Sequence, residues 1–209
     1  MKEGYILKRY DKNTVLKIIV NAAKEYEQKL NNKHFMIIYQ TKKEIKYVEV
    51  GFRGINFLHL TGVSSNLSAS MFYSACISGK LSERNFNIDK GKVYQKLQVL
   101  PYLSDLLYNN CMIGDFLNNG LNIKADYFVG NTRAVLSVGF RFGKFIDYPI
   151  TLYNEDVKAL AKPVHKVLGI FSKKFSDKKY VNVTYISQGY KINDFSEEIK
   201  AKIDIGKFN

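Results

Sequence analysis

A single histidine stands inside an apolar run, FLHLTG at residues 57–62. Burying an imidazole in such a run is costly unless the ring is hydrogen-bonded or used chemically. The alternation predicts a strand in which His59 and Thr61 share the face opposite Leu58 and Leu60. An imidazole and a hydroxyl beside a glycine, which lets a ligand approach, would form a proton-transfer site. A core histidine bonded to a backbone carbonyl is the alternative, and both interpretations stay open on the residues alone.

The second group that could do chemistry is a lysine-rich segment, residues 157–180, with seven lysines, no arginine and one acidic residue. Lys173 and Lys174 directly follow an apolar run, so one of them is expected to share a sheet face with core residues. An ammonium group at a strand end is a good donor to a phosphate oxygen. The alternative is a solvated loop, which is favoured for the last two lysines of the segment. Further nucleic-acid contacts are predicted at Lys166, Lys178 and Lys179.

The last β-rich run, at residues 181–187, carries Thr184 and Tyr185. Either side chain could reach the same face as the lysine pair. Threonine and tyrosine are also ordinary strand formers, so a purely structural role is the alternative for each. We predict Thr184, like Thr61, as a hydrogen-bonding positioner and Tyr185 as the second proton donor.

Motifs for metal or nucleotide cofactors are absent: the sequence has no GxxxxGK[ST], HExxH, paired CxxC or GxGxxG. Cys76 and Cys111 both lie in apolar segments and are predicted to be small buried residues, not ligands or disulfide partners. The sequence therefore predicts chemistry with no metal and no cofactor.

The charge balance favours a polyanionic partner. Lysine and arginine number 32 against 19 acidic residues, a formal net charge of +13. A field of this sign attracts nucleic acid or an anionic membrane surface, although a lysine-rich compositional bias explains the same excess. No apolar stretch approaches a membrane span, and the first residues carry no signal-peptide pattern. We expect no membrane partner and a cytoplasmic location, in the protein's own host or in a cell that it enters.

The first half of the chain should position these groups with helices and a hairpin. Apolar spacing predicts an amphipathic helix over residues 14–30. Strands at 34–40 and 45–50 are joined by a charged turn. The run 55–60 is predicted as a strand, and 68–77 as a short helix that stops at Gly79.

The second half is expected to be mainly strands. The pattern predicts strands at 92–100, 164–171 and 181–187, a meander within 121–150, a helix that starts at Pro101 and a short helix at 155–161. The segment 164–171 is the expected central strand. The order of elements indicates an α+β fold: an N-terminal helical part packed on a mainly antiparallel sheet, with helical insertions. We expect one domain over residues 1–193 and a polar, peripheral C-terminal tail over 194–209.

Seven runs, taken together and in this order, resemble the PBECR4 family, one of the phage-type nucleases grouped with barnase, EndoU, colicin E5/D and RelE. The resemblance covers about residues 14–190, nearly the whole chain, and its runs are NFLHLTG (56–62), FY (72–73), LQVLPYL (97–103), MIGDF (112–116), VGN (129–131), LGIFSKK (168–174) and TYIS (184–187). HLTG alone is weak, and the ordered set carries the resemblance. The resemblance implies a helical part packed on a four- or five-stranded antiparallel sheet.

The activity that the resemblance implies is RNA cleavage without metal, by a protein of phage or mobile-element origin that acts as a toxin. His59, Thr61, Lys173 and Lys174 fall in the runs that match best. RNA supplies its own nucleophile, the 2′-hydroxyl. His59 would move the proton, a lysine would bind the phosphate, and the product would be a 2′,3′-cyclic phosphate. RNA is the expected partner, and an immunity protein is a second candidate.

Two other interpretations stay open on the sequence. A non-catalytic nucleic-acid-binding module, or a degenerate nuclease, would use the same basic face and bind in a salt-sensitive way without cleavage. A structural or phage-particle protein would carry its charge only as a result of composition.

Overall fold

The structure is a computed structural model that describes residues 10–89, 91–117, 124–131 and 135–208. Its helices, within these ranges, are α1 Lys12–Lys29, α2 Gly54–Thr61, α3 Ala69–Ile77, α4 Lys92–Val99, α5 Val157–Leu160 and α6 Glu197–Lys202. Its strands are β1 Lys33–Gln40, β2 Ile45–Phe52, β3 Ser64–Ser65, β4 Phe86–Asn87, β5 Met112–Phe116, β6 Tyr127–Asn131, β7 Leu136–Arg141, β8 Tyr148–Tyr153, β9 Ala161–Lys174 and β10 Asn182–Ile186.

The main sheet has eight strands in the order β2-β1-β9-β5-β6-β7-β8, with β10 also paired to β9. Every pairing between these strands is antiparallel. The α+β fold, with helices first and an antiparallel sheet, is therefore confirmed. The sheet has more strands than the four or five implied by the family resemblance, because β6, β7 and β8 extend it as a meander.

Strand β9 is the centre of the sheet, as the sequence predicts. It is 14 residues long and pairs with β1, β5 and β10. The two faces of the sheet carry separate cores because side chains alternate along each strand. On β1, Phe35 and Ile37 belong to the core beneath helices α1 to α4, whereas Met36 and Ile38 belong to a smaller core on the other face.

The sheet curls until its first edge meets the loop between β7 and β8. The amide of Gly51 in β2 donates to the carbonyl of Asp147 (2.8 Å), and the amide of Asp147 donates to the carbonyl of Glu49 (3.1 Å). This curl brings β8 over the helical face, where it packs against α2.

Two segments predicted as strands are helices. In residues 55–60, Phe57 and Leu60 are buried three positions apart, which is helical spacing, and the helix stops at Gly62 in the left-handed conformation (φ 78°). In residues 92–100, Val93 and Leu97 are buried four positions apart. In both segments, polar residues lie between the apolar ones, so a short helical pattern resembles the alternation of a strand.

The other predicted elements of the first half are confirmed: the helix over 14–30, the hairpin, and the helix over 68–77. The helix expected from Pro101 is a 3₁₀ helix, Leu100–Tyr108, with the proline in its first turn. Residues 121–123 and 132–134 of the predicted meander lie outside the described residues. Residues 1–9, for which the sequence predicts no signal peptide, also lie outside them.

The segment after Asp194 is not the peripheral tail that its polar composition predicts. Phe195, Ile199 and Ile203 recur every four residues and are buried in the smaller core, against Met36 and Phe171. A helical apolar stripe within a polar sequence explains the error, since composition averages over both faces of α6. Of the described helices, none is both long enough and apolar enough to cross a membrane.

Aromatic contacts fix α2 against α1 and α3. The ring of Phe57 lies 5.2 Å from that of Tyr26 in α1 and 5.5 Å from that of Tyr73 in α3. The hydroxyl of Tyr26 donates to the carbonyl of Arg53, directly before α2 (3.0 Å). A β-carbon at Gly54, the first residue of α2, would collide with the ring of Tyr73. The start of α2 therefore depends on a glycine at this position.

We expect Gly54→Ala to lower the free energy of unfolding by about 1–3 kcal/mol, because the enclosed Tyr73 ring cannot move aside without overpacking. The higher helix propensity of alanine would offset less than about 1 kcal/mol of this loss. Denaturant unfolding followed by circular dichroism measures the difference. Gly206→Ala is the matched control, since its nearest neighbour would lie 3.7 Å away, and it should change stability by less than about 0.5 kcal/mol. Equal stability of both variants would contradict the packing argument.

Candidate active site

A cavity of about 420 Å³ opens between helix α2 and strand β8. Three of its wall residues, Ile55, Asn56 and His59, come from α2. The remaining wall comes from β8, from the end of β7 and from the chain before β6: Lys124, Arg141, Tyr148, Pro149, Ile150, Thr151 and Tyr153. The curl of the sheet creates this cavity by placing an edge strand against a helix.

His59 stands in the last turn of α2, with its side chain exposed. One turn earlier, Ile55 lies on the same helical side. The ammonium of Lys96 donates to the carbonyl of His59 (3.2 Å) and to the Thr151 hydroxyl of β8 (3.3 Å). This lysine crosses directly over Gly62, where a β-carbon would lie 2.6 Å from its Cδ atom. The end of α2 is therefore tied to the opposite wall of the cavity.

The cavity wall is basic. Arg141 and Lys124 are exposed cations that line it together with His59, and none of the described residues in this wall is acidic. Arg141 pairs in register with Tyr148 across β7 and β8, so both side chains leave the same face of the sheet, and both line the cavity. Such a wall suits an anionic ligand that carries flat rings, because arginine binds phosphate oxygens in a bidentate way and aromatic rings stack on bases.

Beyond the Arg141–Tyr148 pair, the β7–β8 loop displays two exposed rings: Phe142 is 64% exposed and Phe145 is 90% exposed. The loop backbone is held in place, since Asp126 accepts a hydrogen bond from the amide of Phe142 (2.7 Å). Asp147 accepts from the amide of Gly143 (3.2 Å) and from the hydroxyl of Tyr127 (2.9 Å). Burial and this carboxylate raise the pKa of Tyr127, so its hydroxyl stays a donor. The exposed rings therefore belong to an ordered loop beside the cavity.

Of the residues predicted for the site, His59 is the one that lines this cavity. Thr61, two residues further on, is fully buried. Its hydroxyl donates to the carbonyl of Leu58 (2.7 Å) and accepts from the amide of Val63 (3.3 Å). Because the segment is a helix, His59 and Thr61 do not share a face as they would on a strand.

Lys173 and Lys174 end strand β9 at a different place. Lys173 pairs with His34 of β1, and its ammonium lies 4.7 Å from the ring centre of Tyr180 and donates to the carbonyl of Lys178 (3.1 Å). These contacts lie on the sheet face with the smaller core, whereas α2 packs on the other face. The structure does not bring Lys173 to His59.

The remaining predicted residues also lie outside the cavity wall. The hydroxyl of Thr184 donates to the carbonyl of Leu107 (2.6 Å), and that of Tyr185 donates to the Asn110 side chain (3.3 Å). Both bonds fasten β10 to the chain around the 3₁₀ helix Leu100–Tyr108. Four lysines are exposed: Lys166, which lies over Tyr190, and Lys174, Lys178 and Lys179 at the β9–β10 turn.

Sequence reasoning did not find Arg141, Lys124, Tyr148 and Tyr153. One signal was available, because Arg141 is one of few arginines in a chain whose cations are mainly lysines, and it follows a convincing strand. Its meeting with His59 depends on the curl of the sheet, which no local pattern encodes. Among the described residues, no group of three or more His, Cys, Asp or Glu side chains is placed to hold a metal ion.

The arrangement defines a class: a curled α+β domain whose basic cavity contains one histidine. The profile of one protein family, described as phage-Barnase-EndoU-ColicinE5/D-RelE like nuclease4 (PBECR4), matches residues 18–189. The chain belongs to this nuclease family, and its substrate class is therefore nucleic acid. Neither a curated protein nor a solved structure shows significant similarity to the chain.

On the other sheet face, His34 lies in a polar cluster with Lys173 and Glu49. Its ring is 4.1 Å from that of Phe175. Burial lowers the pKa of His34, the charges of Lys173 and Arg53 lower it further, and Glu49 opposes them. The folded protein therefore holds this imidazole neutral more strongly than the unfolded chain does.

This shift predicts acid sensitivity. The unfolded chain takes up the His34 proton near pH 6.5, before the folded protein does, so stability falls as the pH drops through the lowered folded-state pKa. We expect His34→Gln to lose less melting temperature than wild type between pH 7.5 and pH 5.5, measured by calorimetry. Lys179→Gln, an exposed substitution that leaves every histidine in place, is the control and should lose as much as wild type. Parallel curves for all three proteins would contradict this assignment.

Proposed function

We propose that the protein is a metal-independent endoribonuclease that cleaves RNA through attack of the 2′-hydroxyl, with the reaction centred on the cavity between α2 and β8. The observation that carries this proposal is the shared wall of His59, Arg141 and Lys124. Family membership supports a nuclease, and these three side chains supply a proton carrier and two phosphate-binding cations. A phage or mobile-element origin is supported by the family description.

In the proposed reaction, His59 accepts the proton of the 2′-hydroxyl, and the 2′-oxygen forms a bond to phosphorus. The bond from phosphorus to the 5′-oxygen breaks, which leaves a 2′,3′-cyclic phosphate on one fragment. The leaving 5′-oxygen takes a proton from a second group. Imidazole suits the first transfer because it titrates near neutral pH.

Tyr153 is the proposed proton donor to the leaving oxygen, since it lines the cavity and Tyr185 does not. Burial raises the pKa of Tyr153, and a hydrogen bond with Thr151 offsets part of this effect. The phenol therefore keeps its proton at neutral pH and can give it to an alkoxide, which is far more basic. Thr151 is also bonded to Lys96, so this side of the cavity is held in place.

Arg141 and Lys124 are the proposed stabilisers of the crowded phosphorane, in which negative charge accumulates on the non-bridging oxygens. Preorganised cations that face this charge usually make the largest contribution to such reactions. The absence of acidic groups among the described wall residues supports this role, because a nearby carboxylate would repel the phosphate. Phe142 and Phe145 then offer stacking surfaces to unpaired bases outside the cavity.

A nucleic-acid-binding module without catalysis is the second candidate. The described wall contains one imidazole and no carboxylate, so the acid–base partner of His59 would have to be a tyrosine hydroxyl, a weaker acid than the imidazole or carboxyl groups usual in this role. This candidate predicts salt-sensitive RNA binding that leaves the RNA intact.

A variant of His59 tests the proposed proton carrier. In the presence of EDTA, His59→Ala should cleave labelled RNA about 10²–10⁴-fold more slowly than wild type, since general acid–base groups contribute this much. Gel electrophoresis with detection of the cyclic phosphate end measures the rate. His165→Ala is the matched control and should retain wild-type activity. Cleavage by His59→Ala at the wild-type rate would remove this residue from the mechanism, and a requirement for added metal would reject the reaction class.

A variant of Arg141 tests which cation binds the phosphate. Arg141→Gln should lower kcat/KM for RNA about 10²–10³-fold, mainly through kcat, because the guanidinium acts on charge formed in the transition state. Lys173→Gln removes one cation from the opposite sheet face. Its kcat/KM should stay within about threefold of the wild-type value, because screening weakens the effect of a charge outside the reaction centre. A larger loss in Lys173→Gln than in Arg141→Gln would move the phosphate site to the end of β9.

A further inference from the structure

A second cavity, of about 440 Å³, lies next to the first, at the other end of α2. Ile55, whose side chain is 51% exposed, belongs to the walls of both. A ligand that fills the first cavity and continues past this side chain therefore enters the second. The wall of the second cavity includes Asn31, Arg53, Tyr73 and Phe175.

Arg53 gives the second cavity a preorganised cation. Its guanidinium carbon lies 4.9 Å from the ring centre of Phe175, so the two groups stack, and its side chain is exposed. Stacking on a ring fixes the guanidinium plane and leaves its N–H groups directed outward, which suits a phosphate. Lys33 and Lys174 are chain neighbours of the wall residues Asn32 and Phe175, and burial together with the charge of Lys174 lowers the pKa of Lys33.

Asn31 supplies an independent observation. Its Nδ2 atom donates to Glu27 (2.7 Å), and the same carboxylate oxygen accepts from the hydroxyl of Tyr73 (2.6 Å). The orientation of the Asn31 amide is therefore set, and its Oδ1 atom is buried with no donor among the described residues. A buried acceptor without a donor is rare in folded proteins and costs about 1–3 kcal/mol. The oxygen is covered in this conformation, so a ligand hydroxyl or amino group in the cavity would complete it once the side chains over it shift.

We propose that the second cavity is a nucleotide subsite for the same RNA strand that is cleaved in the first. Arg53 binds a phosphate remote from the scissile one, Asn31 accepts a hydrogen bond from a ribose hydroxyl or a base amino group, and Phe175 and Tyr73 border the base. The assignment rests on the proposed function of the first cavity. With this subsite, the enzyme would recognise several nucleotides of the RNA along α2 and would not contact the scissile position alone.

The test measures binding in the His59→Ala background with EDTA, using fluorescein-labelled single-stranded RNA of two and of eight nucleotides. Arg53→Gln should weaken binding of the octamer about tenfold, the size of one charge-assisted hydrogen-bonding contact. It should leave dinucleotide affinity within about twofold, because a dinucleotide in the first cavity does not reach Arg53. The salt dependence of octamer binding should fall by about 0.7 in slope, the loss of one phosphate contact on a single strand.

Two further variants separate this subsite from a general effect. Arg84→Gln removes an exposed arginine of the 3₁₀ helix Glu83–Asn85, which lines neither cavity, and should match the parent on both oligomers. Arg53→Lys keeps the charge but loses the stacked guanidinium, so it should recover the salt dependence of octamer binding and only part of the affinity. Melting temperatures within about 2 °C of the parent are expected for all three variants, since exposed substitutions change stability little.

Equal weakening of both oligomers by Arg53→Gln, or no weakening of either, would overturn the subsite. A free mononucleotide that competes more strongly in the parent than in Arg53→Gln would also overturn the subsite if the effect of Arg53→Gln on RNA binding does not depend on oligomer length. The cavity would then bind a small ligand. If wild type fails to cleave RNA but the length-dependent loss is observed, the proposed reaction fails and the subsite stands. If cleavage depends on His59 but the length effect is absent, the subsite alone fails.

Discussion

The hydroxyl of Tyr26 reaches from α1 to the carbonyl of Arg53, and its ring packs on Phe57 one turn into α2. This contact holds a helix of eight residues that could not be stable alone. Arg53 stands before this helix, and His59 stands in its last turn, on the side that carries Ile55. Tyr26 therefore fixes the positions of both candidate cavities, although α1, the helix that carries it, contributes no residue to either wall.

The second requirement is the curl of the sheet. An open sheet would leave β8 far from α2, and Arg141 would face solvent without a partner surface. The backbone bonds between Asp147 and β2 close the curl, and Lys96 then joins α2 to β8. The cavity is built from elements that are distant in sequence, in keeping with the position of binding sites at the junction of packed units.

Sequence patterns predict the strands and the long helix well, because β1, β2, β9 and α1 have enough residues for a period of 2 or 3.6 to be distinguished. The eight-residue helices α2 and α4 are too short for that. An alternating composition in two turns of helix has the same appearance as a half-buried strand. His59 was found by its chemical type and stays in the proposed mechanism, whereas its partners required the tertiary fold. Reading this segment with the period of a strand also predicted that Thr61 lies beside His59. In the helix, the Thr61 hydroxyl instead donates to the carbonyl of Leu58 in the last turn.

The ordered β7–β8 loop has a consequence for how the protein would select its ligands. Asp126 and Asp147 already hold the backbone amides of Phe142 and Gly143, so the loop backbone loses little conformational freedom when a flat group settles on its rings. The flat side of a nucleobase is common to all four bases, and only the polar edges differ. In the proposed function, Phe142 and Phe145 would therefore provide affinity that does not depend on base identity. Discrimination between purines and pyrimidines has to come from enclosed walls that can contact those edges.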